Sequence, residues 1–144
     1  MSNSLYEQDF YAWANEQAAL LRAGKLDSAD IENIAEEIES MGRSEKRELI
    51  NRLAVLLLHL LKWQFQPGLR GNSWGASIEE QRLRLEEHLK DNPSLKAQIE
   101  SAMMTAYRLA RVEAVRETGF ARATFPQDCP FTFDQAMSED FLPD

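Results

Sequence analysis

The chain has 144 residues, one cysteine and a net charge of −8. That length fits a single domain of residues 1–144, and a globule of this size folds without needing a disulfide or a structural metal. A pI near 4.8 repels bare phosphate backbones, so nucleic acid is not an expected partner, and the lone Cys129 excludes an internal disulfide and suits a reducing compartment.

Glycine and proline divide the chain into helices. The first is expected over residues 5–23: Ser4 and Glu7 stand at capping-box spacing, Gly24 closes it, and Tyr6, Phe10, Trp13, Ala14, Leu20 and Leu21 share one face. The second opens at Asp27 or Ser28 and stops before Gly42, with Ile31, Ile34, Ala35, Ile38 and Met41 as its buried stripe. Gly42-Arg43-Ser44 reads as a hairpin into the third, with Ser44 as N-cap. That third helix, residues 45–66, carries Leu49, Ile50, Leu53, Leu56, Leu57, Leu60, Leu61, Trp63 and Phe65 over well more than half its circumference, and Pro67 ends it. A helix apolar nearly all round belongs at the centre of a domain or at a subunit interface.

A glycine-rich loop, residues 68–75, precedes a fourth helix that begins at Trp74 or Ser77, with Ser77 and Glu80 at capping-box spacing, and runs to Lys90. The fifth starts at Pro93 behind Asn92 and runs to Thr118 before Gly119, with Ala102, Ala106, Ala110 and Ala114 permitting close approach. A short helix follows Thr132, again at capping spacing with Gln135. The expected fold is all-α: a compact helical bundle of about five long helices plus a short C-terminal one, the third helix central.

Met1-Ser2-Asn3-Ser4 lacks the basic and apolar stretches of a signal peptide. The richest apolar run, residues 53–61, is broken by His59 and is far shorter than the roughly 20 residues of a membrane span. A cytoplasmic protein with no membrane partner is expected.

Several polar residues project where a plain bundle would place apolar ones. Gln17 lies between Trp13 and Leu21; Glu37 flanks Ile34 and Met41; His59 interrupts the leucines; Arg82 sits beside Ile78, Leu85 and Leu89; Glu113 and Glu117 continue the alanine stripe. As a functional site, His59, Glu37, Glu113 and Glu117 could ligate a metal or do acid–base work. As a structural network, Arg82 would pair with Glu117, Glu113 or Glu37, while His59 and Gln17 satisfy each other or the backbone. The second reading is preferred, because an inward arginine competes with a cation and neither His59 nor His88 has a glutamate three residues earlier. No metal and no cofactor is expected.

The loop at 68–75 could hold an anion through Arg70 and backbone N–H groups, but it lacks a P-loop ending and reads as a flexible connector. Arg82, Arg84, Lys90, Arg108, Arg111 and Arg116 are interleaved with acids, as on a solvated face. Cys129 has no feature that would activate a thiol.

Tyr6-Glu7-Gln8-Asp9-Phe10, Glu36-Glu37-Ile38-Glu39, His59-Leu60-Leu61-Lys62-Trp63-Gln64-Phe65-Gln66-Pro67, Pro93-Ser94-Leu95, Ser73-Trp74, Glu117-Thr118-Gly119 and Phe125-Pro126-Gln127-Asp128-Cys129-Pro130 resemble, in order, a bacterial family called domain of unknown function twenty-nine. The resemblance implies an all-helical fold and no substrate, cofactor or catalytic residue. It marks Glu37, His59, Lys62 and Trp63 as motif members. Relatives usually carry a more basic loop after Pro67, where this chain reads Gly-Leu-Arg-Gly-Asn.

The expected function is a small non-enzymatic helical interaction or regulatory module with an unknown protein partner. The alternative is a metal- or acid–base-dependent enzyme using the inward cluster. A homodimer is expected, because the third helix has surplus apolar surface and the fifth carries Met104, Val112 and Val115 away from its main stripe.

Overall fold

The structure, a computed structural model, describes residues 2–144, with side chains from Leu5 onward. Every regular element among these residues is helical, in the order α1 (Ser2–Gln8), α2 (Phe10–Arg22), α3 (Ile31–Phe65), α4 (Asn72–Asp91), α5 (Ile99–Thr118) and α6 (Phe133–Met137). The all-α class and the long helix in the middle of the chain are those expected. Two compact units follow one another, Met1–Ser44 and Glu45–Asp144.

In the first unit the single helix expected over 5–23 is two. Asp9 breaks it, because its backbone leaves helical geometry and its carboxylate accepts the Ala12 N–H at 3.0 Å as the N-cap of α2. The Ser4 side chain, assigned a capping role from sequence, lies outside the described residues. Gly24 closes α2 at φ 71, a left-handed conformation that costs glycine little. Tyr6, Phe10 and Trp13 form an aromatic cluster with centroids 4.7–5.9 Å apart. Trp13 Nε1 donates to the Asp30 carboxylate at 3.0 Å, and the Asp30 N–H donates to Gln17 Oε1 at 2.7 Å. These bonds set the start of α3 at Ile31 rather than at Asp27 or Ser28.

The expected hairpin at 42–44 does not exist: α3 runs through it. Propagating a formed helix adds one bond per residue, whereas nucleating a new one is unfavourable, and an interior glycine costs only about 1 kcal/mol against alanine. The expected buried stripe is also corrected. Ile31, Ala35, Ile38 and Met41 are exposed and Ile34 is half-buried. At roughly 100° per residue, the less exposed face carries Asp30, Asn33, Glu37 and Ser40, about a quarter-turn from the isoleucines. Polar anchoring to Tyr6 and Trp13, not apolar burial, orients this part of α3.

The second unit has a conventional apolar core. Leu49, Leu53, Leu56, Leu57, Leu60 and Leu61 of α3 have no exposed surface and meet Ile78 and Leu85 of α4, the four α5 alanines and Phe125. Burying each leucine contributes about 1.5–3 kcal/mol. α4 begins at Asn72, so Ser77 is interior and caps nothing. Residues Pro93–Gln98 form a 3-10 helix before α5, not its first turns. Gly119 ends α5 at φ 74, and Thr132 and Gln135 make a full capping box on α6, both as expected. Val115 packs against the core, whereas Met104 and Val112 are exposed. No helix among the described residues is long and apolar enough to cross a membrane.

Candidate functional site

Each of the six inward polar residues has its own partner within its unit. Gln17 is buried and caps the Asp30 N–H. Glu37 is half-buried and accepts a hydrogen bond from the Tyr6 hydroxyl. That bond, with burial and the charge of Glu37, pushes the Tyr6 phenol up to about 12. Asp30 is held below the usual carboxylate range by the Asn33 amide, with Trp13 N–H adding to the effect against partial desolvation.

In the second unit, His59 Nδ1 donates to the Val55 carbonyl at 2.8 Å, one turn back on its own helix. Arg82 is buried as projected, but within its unit it pairs with neither Glu117 nor Glu113. Its Nε donates to the Ala136 carbonyl at 2.7 Å and its Nη2 to the Phe141 carbonyl at 2.8 Å. Burial lowers its pKa and the charge of Glu139 opposes that effect. Glu113 pairs with Arg116 one turn on, and Glu117 takes Lys62 at 2.8 Å. Among the described residues no group of three or more His, Cys, Asp or Glu side chains is placed to hold a metal ion. The four residues named for the enzyme alternative are thus engaged separately.

Two residues carry more than sequence reasoning gave them. His88 is buried, its Nε2 donating to the Glu45 carbonyl at 2.8 Å while Nδ1 faces the Glu48 carboxylate at 3.1 Å. Its spacing of three from Leu85 was the available signal. Arg70 belongs to no flexible connector: its Nε donates to the Trp63 carbonyl at 2.6 Å, its Nη2 to the Asp144 backbone oxygen at 2.6 Å, and its guanidinium lies 5.5 Å from the Trp63 ring. The motif residues Lys62, Trp74 and Glu117 do meet. Lys62 Nζ stands 4.8 Å over the Trp74 ring while paired with Glu117, a cation held by a ring face and a carboxylate together.

Among the described residues an exposed apolar seam runs along the first unit's part of α3. Ile31, Ile38 and Met41 are 49%, 58% and 62% exposed, and with Ile34 they follow the 3-4-3 spacing of a helix-pairing stripe. Glu32 and Glu39 run along one side of it, and Asp30 and Glu37 along the other. Such a seam can dock a helix; it contains no group that does covalent chemistry.

No curated protein and no solved structure matches the chain. The model of domain of unknown function DUF29 matches residues 5–142, nearly the whole chain, and the chain belongs to that family.

Proposed function

We propose that this protein is a non-enzymatic helical interaction module, and that its exposed α3 seam docks an amphipathic helix with basic flanks. The observation that carries the reading is the exposure of Ile31, Ile38 and Met41 in one stripe. Single exposed apolar residues are ordinary on a soluble surface, but an aligned stripe marks an interface. The acidic residues beside it select the partner. A second copy would bring like charges together, whereas lysines and arginines at the flanks of a partner helix would be matched. A cytoplasmic location belongs to the same reading, supported by the lone free thiol of Cys129.

A photo-reactive side chain at Ile38 tests this in the native cell, with a control at exposed Glu86. The reading expects a discrete protein adduct at position 38 only, mapping to a basic amphipathic helix and lost when Ile31 and Met41 are both changed to Glu. Equal or undefined adducts at the two positions would sink it.

Homodimerisation through α5 is a second reading, favoured by Met104 and Val112, which are 68% and 50% exposed. Light scattering that gives a monomer mass over a wide concentration range would remove it.

A further inference from the structure

A groove of about 620 Å³ in the second unit runs between α5 and the segment that follows it. Met103, Tyr107 and Phe131, all buried residues, contribute to its apolar lining, with Ile99 and Phe133 completing the walls. A smaller cavity of about 270 Å³ adjoins it, and Arg108, Arg111, Arg122 and Gln127 line both. Three guanidinium-bearing residues therefore stand where an apolar well meets a second opening.

We propose that this groove binds an amphipathic oxyanion, its apolar body lying against Met103, Tyr107 and Phe131 and its charged head held by Arg108, Arg111 and Arg122. The volume falls in the roughly 300–1,000 Å³ range of small-molecule sites, and a mainly apolar lining with a few convergent polar groups is their usual character. Charge decides the sign of the ligand. Among the described residues none of the three arginines has a carboxylate within ion-pairing distance, in a chain whose net charge is −8. Of the two acids on the lining, Glu100 lies eight residues before Arg108, about 12 Å along α5. Asp128 is the other, and it pairs with none of the arginines.

Arg111 is set in advance. Its Nη2 donates to the carbonyls of Arg122 and Phe125, each at 3.1 Å, while its Nε is buried with no acceptor. A guanidinium already fixed on backbone oxygens loses little freedom when it meets a ligand, and its planar fork suits carboxylate and phosphate heads alike. Burial holds the Cys129 thiol above its ordinary range, so that wall of the groove adds no competing negative charge.

Titration calorimetry with decanoate, decyl phosphate, decanol and decyltrimethylammonium, each below its micelle concentration, tests the assignment on the full chain. One decanoate or decyl phosphate is expected per chain, and the tighter of the two identifies the head group. Decanol and the cation should bind at least about tenfold more weakly, since the charge-assisted bonds are lost. Arg108→Gln with Arg122→Gln should weaken the anions by about tenfold or more while leaving decanol unchanged, because both side chains are exposed and free of other ion pairs. Met104→Glu, at the exposed rim, should weaken the anions independently. Equal affinity for decanol and decanoate, no saturable binding by either anion, or an unaltered response in the double variant overturns the proposal. So does binding of an acidic amphipathic peptide with no response to decanoate.

Discussion

Arg82 donates to two carbonyls in the segment after α5, where a buried arginine would more often meet a carboxylate. Replacing it with leucine leaves the oxygens of Ala136 and Phe141 without their donor, and the expected cost is about 3 kcal/mol in urea unfolding. Arg82→Lys should recover less than half of that, because an ammonium cannot fork across both oxygens as the guanidinium does. A change below about 0.5 kcal/mol, typical of an uninvolved surface residue, would contradict the assignment. The inward positions of Gln17 and Arg82 were legible from helical periodicity alone. Their partners were not, since backbone carbonyls and N–H groups carry no residue signature. Tyr6 makes a second prediction at this scale. Its folded-state pKa of about 12 lies above the ordinary 10.0, so its contribution is complete below pH 10 and is lost as pH rises toward 12. Tyr6→Phe should therefore reduce the alkaline loss of stability between those values, read by circular dichroism. Tyr107, pushed up to about 12 chiefly by burial, keeps a residual dependence in the variant.

Two glycines show how far element boundaries could be read. Gly119 sits at φ 74 and stops α5, as a glycine after an amphipathic run suggests; Gly42 has no such angle and lies inside α3. The same residue type terminates one helix and is merely tolerated in another, because the decision rests on backbone angles that the surrounding packing sets. Thr132 with Gln135 was readable as a capping box, whereas Ser77 with Glu80 has the same spacing and is interior. Asp9 was the reverse case, a real N-cap concealed within a continuous apolar face. The pair gives a direct test by thermal unfolding. Gly42→Ala should stabilise the protein by up to about 1 kcal/mol, since alanine is the better helix former and its Cβ meets nothing within 4 Å. Gly119→Ala should destabilise by about 1 kcal/mol, because its conformation is strained for any side chain despite the open space around it. If Gly42→Ala were destabilising, the continuous helix would be wrong and a turn at 42–44 restored.

At the scale of the whole molecule, the apolar pattern located the core of the second unit but misplaced that of the first. The leucines of residues 53–61 cover so much of their helix that burial was unavoidable, and most of them have no exposed surface. Ile31, Ile34, Ile38 and Met41 have the same periodicity, yet periodicity says only that a face is apolar and not what covers it. In the first unit the buried side chains among the described residues are Trp13 and Gln17, so this part of α3 is held chiefly by the bonds of Asp30 and Glu37. One helix should therefore show two stabilities. Native-state hydrogen exchange is expected to be slowest at residues 53–61, opening only with global unfolding, and at least about 100-fold faster at residues 31–41. Asp30→Ala should quicken exchange at 31–41 further and leave 53–61 unchanged, because the carboxylate that fastens Trp13 and Asn33 is gone. A partner helix on the seam would act in the opposite sense, since anything that binds the closed form raises protection in proportion to its occupancy. Uniform protection along the whole of α3 in the isolated protein would mean that the seam is already covered, and would remove the physical basis for a docking partner there.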